Sequence, residues 1–213
     1  MNARPPRAKP IPVHPGLTVL SDEVVWDGRY PLQRVRFRRR RFDGSEGALL
    51  TWEVWRRGAA VAVLPWDPWT DRVALIEQFR LPALAAGLDP VLAECPAGML
   101  EDGEDPAETA RRELEEESGL VTDRTAPLGR FILTPGGCDE VITLLLARVR
   151  LPRLGEAGTH GLASEDEDIR VRVMATDAAL ALLDEDRIPN AAAALCLGQF
   201  ARRRAALLKD WKD

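Results

Sequence analysis

The stretch that decides the fold is GMLEDGEDPAETARRELEEESGL, residues 98–120. It carries nine acidic residues and two arginines, and its centre has the start and stop signals of a helix. Asp105 can cap the first turn, and Pro106 suits the first helical position. Gly119 can end the helix in the left-handed conformation. We therefore predict a helix over residues 106–118.

Three glutamates of this helix share one face. At about 100° per residue, Glu113, Glu116 and Glu117 fall in one sector, beside an apolar stripe that includes Ala110 and Leu114. An acidic helical face is usually solvated, and each like-charged pair on it costs roughly a few tenths of a kcal/mol. A divalent cation reverses that repulsion, and carboxylate oxygens favour hard cations such as Mg²⁺ or Mn²⁺. The face is therefore a candidate metal site.

Composition limits the function classes. Two histidines and three widely spaced cysteines exclude a multi-histidine site, a zinc pattern and a disulfide framework, so carboxylates must carry any metal chemistry. The net charge of −5 argues against a nucleic-acid partner. No apolar run is long enough to span a bilayer, and the first residues lack the apolar core of a secretory signal. We therefore expect a cytoplasmic protein without membrane contact.

Strands precede and follow the acidic helix. We predict strands at 30–42, 49–55, 59–65, 73–79, 131–133, 141–149 and 169–174, a long polar loop at 152–168, and helices at 177–183, capped by Thr176, and 191–208. This order predicts an α+β fold, with a mixed β-sheet sandwiched between helices and an N-terminal β extension. The expected divisions are a flexible tail (1–16), the β extension (17–57) and the main domain (58–213).

The spacing within the acidic stretch resembles the Nudix box, which reads Gly, five residues, Glu, seven residues, then Arg-Glu-apolar-any-Glu-Glu-any-Gly-apolar. All nine specified positions are filled, by Gly98, Glu104, Arg112, Glu113, Leu114, Glu116, Glu117, Gly119 and Leu120. On this motif the chain is identified as a member of the Nudix hydrolase family. The resemblance implies a Nudix fold in which a loop–helix–loop holds Mg²⁺ against a diphosphate.

The same resemblance assigns roles to individual residues of the motif. It implies that Glu113, Glu116 and Glu117 are the main metal ligands, and that the backbone carbonyl of Ala97 completes the coordination. By the same resemblance, Arg112 would orient the carboxylates and Glu104 would support the helix electrostatically. We count Arg112 and Glu104, together with Glu116, among the catalytic residues.

Features outside the motif indicate a branch of the family. Pro135 lies fifteen residues after Leu120, and the stretches RFRRRRFDG, LIEQFR, AGMLEDGE and HGLASEDEDIRV resemble bacterial ADP-ribose pyrophosphatases, which are domain-swapped dimers. The resemblance implies hydrolysis of ADP-ribose to AMP and ribose 5-phosphate by a homodimer that exchanges its N-terminal β segment. Three alternatives remain: a pyrophosphatase for another nucleoside-diphosphate sugar, a non-catalytic ADP-ribose sensor, and an acidic Ca²⁺-binding module. The last does not fit EF-hand spacing.

Two glutamates of the predicted 152–168 loop are candidates for the general base. Glu165 and Glu167 lie in SEDED, and an acidic loop run of this kind is usually solvated. The resemblance aligns Glu165 with a mobile-loop glutamate that deprotonates the attacking water, with Glu167 as the runner-up. A base on a loop can close over bound substrate and so limit idle chemistry.

The remaining candidates would bind substrate. Trp52 is either a core or dimer-interface residue or a platform for adenine, and Glu53 could accept a hydrogen bond from the adenine amino group. Arg57 and Arg80 each end a strand, where a guanidinium serves either a surface ion pair or a diphosphate clamp, and we favour Arg80 as the clamp. By resemblance, Glu140 contacts the terminal ribose, and Met99 of AGMLEDGE completes the substrate-binding set.

Overall fold

The structure is a computed structural model that describes residues 8–212, without the side chains of Glu156 and Glu165. The chain divides into two compact units. The smaller unit comprises the described residues up to Gly58 together with Ile132–Val141, and the larger unit comprises Ala59–Phe131 and the described residues from Ile142 onward.

The smaller unit contains an antiparallel sheet in the order β1-β2-β3. Its strands are β1 (Leu17–Trp26), β2 (Leu32–Arg39) and β3 (Leu50–Trp55). In β2, Val35 and Phe37 are buried on one face while Arg36 between them is exposed, as the alternation of apolar and basic residues predicts.

A second sheet contains the other eight strands. Its main path is β10-β11-β5-β4-β9-β8, with β6 paired to β5 and β7 paired to β4. The strands are β4 (Ala59–Asp67), β5 (Arg72–Phe79), β6 (Val91–Glu94), β7 (Ala97–Met99), β8 (Arg124–Ile132), β9 (Val141–Arg148), β10 (Gly155–His160) and β11 (Ile169–Ala175). The helices are α1 (Leu81–Ala85), α2 (Pro106–Ser118), α3 (Thr176–Asp184), α4 (Ala191–Ala201) and α5 (Arg204–Asp210).

Helices cover both faces of this second sheet. Successive side chains of β4 point to opposite faces. On one face, Val61 belongs to a buried cluster with Ala110 and Leu114 of α2. On the other face, the Trp66 ring packs against Phe200 of α4, with 5.0 Å between ring centroids. The α+β sandwich expected from the sequence is therefore confirmed.

The acidic helix α2 has the predicted bounds. The Asp105 carboxylate accepts a hydrogen bond from the Ala107 amide (2.8 Å), and Gly119 ends the helix at φ +65°. The apolar stripe predicted beside the three glutamates faces the sheet, with Ala110 and Leu114 fully buried. Burial of that stripe fixes which way the acidic face points.

The structure corrects three of the predicted features. Residues 152–168 are not a continuous loop, because β10 pairs with β11 as an edge strand and a 3₁₀ turn follows at Ala163–Glu165. The predicted helix over 191–208 is two helices, α4 and α5, separated at residues 202–203. Thr176 is the first residue of α3 rather than its cap, which is Ala175.

Other differences are additions to the predicted elements. Helix α1 and the short strands β6 and β7 were not predicted, and β8 begins at Arg124 rather than at residue 131. Strands β6 and β7 are held by pairing with β5 and β4, which are distant in sequence. Among the described residues, no helix combines the length and apolar character needed to cross a membrane.

Candidate active site

Helix α2 and strand β7 meet at Glu117. Its Oε2 accepts a hydrogen bond from the Ala97 amide (2.8 Å), and the residue is only 4% exposed. Burial raises the pKa of the Glu117 carboxyl to about 8, although the hydrogen bond from Ala97 acts in the opposite direction. A carboxylate in this position is poorly solvated and lacks a full compensating charge.

Glu113 lies against the backbone of Gly98. A Cβ atom added to Gly98 would lie 1.9 Å from the Glu113 Oε1 atom, so any side chain at this position would displace the carboxylate. Burial raises the pKa of Glu113, Arg112 opposes that shift, and Glu116 adds to it. The glycine that opens the motif therefore makes room for one of the three glutamates.

Arg112 lies between two of these carboxylates. Its Nη1 atom is 2.8 Å from Glu113 Oε1 and 3.1 Å from Glu116 Oε2. Burial acts to lower the pKa of Arg112, but Glu113 and Glu116 raise it. The guanidinium thus supplies positive charge between two acidic groups of the same helix.

Glu104 is placed to hold the loop that enters α2. Its Oε2 accepts hydrogen bonds from the Glu101 amide (2.9 Å) and from the Thr109 hydroxyl (3.1 Å). The bond from Glu101 is the main reason that the pKa of Glu104 is lowered. The Glu104 carboxylate therefore joins the loop to the first turn of the helix.

A buried glutamate pairs with Arg80. Arg80 Nε and Nη2 contact the two carboxylate oxygens of Glu94 at 3.1 and 2.9 Å, and Glu94 is 5% exposed. Burial acts to lower the pKa of Arg80, but Glu94 raises it. Sequence reasoning did not include Glu94, although a lone glutamate in an apolar stretch, VLAEC, was a signal that it had an internal partner.

Glu167 acts electrostatically on two carboxylates of α2. Its charge contributes to the raised pKa of both Glu113 and Glu117. Its Oε2 accepts a hydrogen bond from the Leu162 amide (3.1 Å). The side chain of Glu165 lies outside the described residues, so the ranking of these two glutamates as general base stays a prediction.

Comparisons with known proteins agree with this site. The NUDIX domain model matches residues 56–194. The chain is 38% identical to the ADP-ribose pyrophosphatase of Escherichia coli K12 over 193 residues, which is 91% of each chain. It belongs to the Nudix family. The enzyme class expected from the motif is therefore confirmed: the chain is a Nudix hydrolase.

Two further similarities frame the Nudix assignment. The chain is 32% identical to the GDP-mannose pyrophosphatase of Yersinia enterocolitica over 151 residues, covering 70% of this chain and 76% of that one. A solved structure described as an ADP compounds hydrolase superimposes with a TM-score of 0.68 at 20% identity, covering 95% of this chain and 98% of the other. At that identity the superposition supports the fold alone.

Nudix hydrolases generally use divalent cations, and the donors of α2 fit one. The nearby Arg80 already pairs with Glu94, and Arg112 is shared by two carboxylates, so the acidic groups outnumber the cations facing them. Among the described residues, no three acidic, histidine or cysteine side chains yet converge into a metal cage. Arg112 lies between Glu113 and Glu116 and supplies part of the positive charge that a bound cation would provide.

Four of the expected substrate-binding residues of this Nudix hydrolase lie in the smaller unit. Arg57 forms an ion pair with Glu140 (2.9 Å), and its guanidinium lies 4.5 Å from the centre of the Tyr30 ring. Trp52 is 52% exposed and packs edge-on against Phe37, with 5.3 Å between ring centroids. The core alternative for Trp52 is therefore excluded within one chain.

The fourth of these residues is Glu53, and the candidate Met99 lies in the larger unit. Glu53 forms an exposed ion pair with Arg34 at 3.3 Å. Met99 ends β7 in register with Ala60 and is half-buried. The structure thus brings together the proposed metal ligands, Arg112, Arg80 and Glu167 in the larger unit, and Arg57 with Glu140 in the smaller one.

Proposed function

We propose that this Nudix hydrolase splits the diphosphate linkage of ADP-ribose, with Mg²⁺ as the metal, and releases AMP and ribose 5-phosphate. The observation that carries the proposal is the geometry of the acidic face of α2. Glu113 and Glu116 share the single guanidinium of Arg112, and the buried Glu117 carboxylate accepts a hydrogen bond from a backbone amide, while burial raises the pKa of Glu113 and Glu117. Such a face gains a large stabilisation from a divalent cation and, through it, from a diphosphate. The similarity to an ADP-ribose pyrophosphatase supports the choice of substrate.

In this proposal Glu113, Glu116 and Glu117 hold the cation, with the backbone carbonyl of Ala97 as a further ligand. When bound, the divalent cation would neutralise the diphosphate and lower the pKa of a coordinated water. Arg112 keeps Glu113 and Glu116 oriented by contacting both. Glu104 keeps the entry to α2 in place through its bonds to Glu101 and Thr109.

The proposed general base is Glu165, with Glu167 as the runner-up. The base accepts a proton from the attacking water while the water oxygen forms a new bond to one phosphorus. The bond between that phosphorus and the bridging oxygen breaks, and the bridging oxygen leaves with the other phosphate. The two products are phosphate monoesters, so the atoms balance without a further reactant. The contribution of Glu167 to the pKa of Glu113 and Glu117 supports a place for this loop at the metal face.

Substrate recognition is proposed to use both basic and aromatic groups. Arg80, whose orientation is fixed by two contacts to Glu94, would bind the diphosphate with its remaining donors. Trp52 would stack on adenine, and Glu53 would accept from the adenine amino group. Arg57, Met99 and Glu140 complete the proposed substrate-binding set, with Glu140 directed to the terminal ribose.

We further propose a homodimer in which the β extension, residues 17–57, is exchanged and contributes Trp52 to the neighbouring adenine site. Apolar side chains of β1 remain exposed in the single chain, including Leu20 at 52% and Trp26 at 66%. A second copy of the chain would remove this surface from water. Light scattering should give a dimer, and a fully active monomer at the assay concentration would contradict the exchange.

A second substrate is favoured by one observation. The similarity to a GDP-mannose pyrophosphatase supports a Nudix pyrophosphatase for another nucleoside-diphosphate sugar, with the same metal chemistry. A non-catalytic ADP-ribose-binding module is disfavoured, because every acidic position of the motif is filled.

The test is a substrate panel with Mg²⁺, containing ADP-ribose, ADP-glucose, GDP-mannose, FAD and NADH, with products identified by mass. We expect the highest kcat/KM for ADP-ribose, with AMP and ribose 5-phosphate as products. A higher kcat/KM for GDP-mannose would select the second substrate. Binding of ADP-ribose without turnover, at any Mg²⁺ concentration, would support the sensor instead.

A further inference from the structure

His160 ends strand β10 and lies where the acidic loop meets helix α2. A Cβ atom added to Gly119 would lie 2.7 Å from His160 Cε1, and one added to Gly158 would lie 3.2 Å from His160 Nε2. The imidazole ring therefore rests in a cradle formed by two glycines, one of which ends the metal-binding helix. A side chain at Gly119 would displace the ring, and one at Gly158 would crowd it.

The residue after His160 is bonded directly to α2. The Gly161 amide donates a hydrogen bond to the Glu116 carbonyl at 3.2 Å. The last carbonyls of a helix have no partner within the helix, so this bond satisfies one of them from outside. Because Glu116 is a proposed metal ligand, the start of the loop is tied to the backbone of the metal site.

The rest of the loop is closed on itself. The Glu167 amide donates to the Leu162 carbonyl (3.3 Å), and the Leu162 amide donates to Glu167 Oε2 (3.1 Å). A Cβ atom added to Gly161 would lie 2.7 Å from Glu167 Cβ, so the two ends of the loop are in close contact. A shift of the loop origin would therefore carry the Glu167 carboxylate with it.

We propose that His160 is a positioning residue, whose packing on Gly119 fixes the origin of the 161–168 loop against α2 and so aims the acidic groups of the loop at the metal face. The inference rests on the proposed function for its kinetic test, because it names a further residue on which that reaction depends. His160 acts through the backbone of Gly161 and through Glu167. It does not itself touch the reacting atoms.

The first test is independent of activity. Hydrogen exchange of the Gly161 amide is measured by NMR in the free wild-type protein and in His160→Ala. Loss of the ring should open the bond to Glu116 more often, and the exchange rate should rise about tenfold, the change expected for a modest local destabilisation. An unchanged rate would overturn the inference, even if the wild-type protein proved active on a different substrate.

The second test separates packing from polar chemistry. With saturating Mg²⁺, His160→Ala should lower kcat by roughly ten- to a hundredfold, the range expected for a misplaced catalytic group, while KM stays close to wild type. His160→Phe, which keeps a flat ring, should restore most of kcat, and His160→Gln should not. Recovery with glutamine rather than phenylalanine, or full activity of His160→Ala, would overturn the packing role.

The third test uses the contact with Gly119. Gly119→Ala should reduce kcat/KM more in the wild-type background than in the His160→Ala background, because removal of the ring makes room for the new methyl group. The control is Gly87→Ala, at φ +79° with no atom within 4 Å of the added Cβ, which introduces similar backbone strain without a contact. An equal loss in both backgrounds would show that strain alone accounts for Gly119→Ala and would overturn the proposed contact.

Discussion

Two acidic groups in the larger unit, the partly buried Asp71 and the buried Glu117, have opposite electrostatics. Asp71 accepts hydrogen bonds from Arg204 Nε (3.2 Å) and Trp66 Nε1 (3.1 Å). Burial acts to raise the pKa of Asp71, but these bonds lower it overall. Glu117 accepts a hydrogen bond from the Ala97 amide, and its pKa is raised to about 8. The fold therefore pairs the Asp71 carboxylate with a cation, whereas among the described residues the Glu117 carboxylate has only a backbone amide as its hydrogen-bond donor.

The difference separates an acid with a structural contact from one that we propose to be functional. Asp71 lies between β4 and β5 and is joined to α5 through Arg204, so its ion pair ties distant parts of the chain together. The α2 acidic face, which we define as Glu113, Glu116 and Glu117, costs stability in the free protein because its members repel one another in a poorly solvated place. A cost of this kind is typical of sites that bind a ligand of opposite charge.

The largest expected effect comes from breaking the α2 acidic face. Glu116→Gln removes a proposed metal ligand and keeps the shape of the side chain. Metal assistance supplies several kcal/mol to such reactions, so kcat should fall by roughly 10³-fold or more. The measurement is a steady-state assay with Mg²⁺ titration, in which the mutant should also need more metal.

The matched control for this prediction is Glu115→Gln. Glu115 belongs to the same helix and is exposed, away from the three glutamates that share the face. It should keep kcat within about twofold, as a surface substitution away from the site should. Near-normal activity of Glu116→Gln at ordinary Mg²⁺ would remove Glu116 from the metal site.

A comparison of two loop mutants decides which carboxylate of the loop is the general base. A general base contributes about 10²–10⁴-fold to the rate, so Glu165→Gln should lower kcat by roughly that factor with little change in KM. Glu167→Gln should be milder. Both mutants are assayed across pH at saturating Mg²⁺, and the reverse order would make Glu167 the base.

The structural role of the Asp71 ion pair is tested by Arg204→Met. Removing the cation leaves the Asp71 carboxylate partly buried without its main partner, which should lower the free energy of unfolding by about 2 kcal/mol. For a chain of this size Tm should fall by about 4–8 °C, while kcat at low temperature stays close to wild type. Calorimetry measures the first quantity and the enzyme assay the second.

The matched control for Arg204→Met is Arg187→Met. Arg187 pairs with Glu185 at 3.3 Å, and both side chains are mostly exposed. Exposed ion pairs contribute about 0–1 kcal/mol, so this change should barely move Tm. If the two arginine mutants are equally stable, the Asp71 ion pair is no more important than a surface pair.

The smallest predicted effect concerns pH. Because the pKa of Asp71 is lowered in the folded state, its contribution to stability is present above the ordinary aspartate pKa of about 3.9 and is lost as pH falls through the lower folded value. The wild-type protein should therefore lose more stability than Arg204→Met between pH 4 and pH 2. Urea unfolding at several pH values measures this, and parallel curves would show that Asp71 does not titrate with folding.

Local signals made α2 predictable from the sequence. Asp105, Pro106 and Gly119 define the ends of the helix by short-range chemistry, and the Nudix spacing identifies the acidic residues that it carries. The orientation of the acidic face followed as well, because the adjacent apolar stripe had to be buried.

Elements that depend on distant partners were less predictable. Strand β10 contains glycines at positive φ, including Gly155 and Gly158, and lacks apolar alternation, so only its pairing with β11 reveals it as a strand. The break between α4 and α5 has no proline or glycine; there Arg203 donates to the Pro127 carbonyl and Arg204 pairs with Asp71.

The candidate site was predictable to a similar extent. The acidic residues of the motif could be placed together from the sequence, because their spacing along one helix fixes their relative positions. The pairing of Arg57 with Glu140 and of Arg80 with Glu94 joins residues from separate strands and turns. The first pair leaves no pattern in the sequence, and the second leaves only the lone glutamate of VLAEC, which does not identify its partner. The contact of His160 with Gly119 leaves no pattern either.

The central claim, that the α2 acidic face is built for a divalent cation, is tested most directly by thermal unfolding at pH 7.5 with and without Mg²⁺. Glu117→Gln replaces a carboxylate that burial disfavours by a neutral side chain that can still accept from Ala97. Without metal, this mutant should be more stable than wild type, by on the order of 2 kcal/mol. Folding raises the pKa of Glu117 to about 8, so the carboxyl, which is ionised in the unfolded chain at pH 7.5, must either bind a proton or bury its charge, and the amide avoids that cost.

Added Mg²⁺ should raise the free energy of unfolding of the wild-type protein, by about 2.7 kcal/mol at a concentration one hundred times Kd, and the Tm should rise with it. It should raise the Tm of Glu117→Gln much less, and Glu115→Gln should behave as wild type. A wild-type Tm that does not respond to Mg²⁺, together with a Glu117→Gln protein less stable than wild type, would contradict the account.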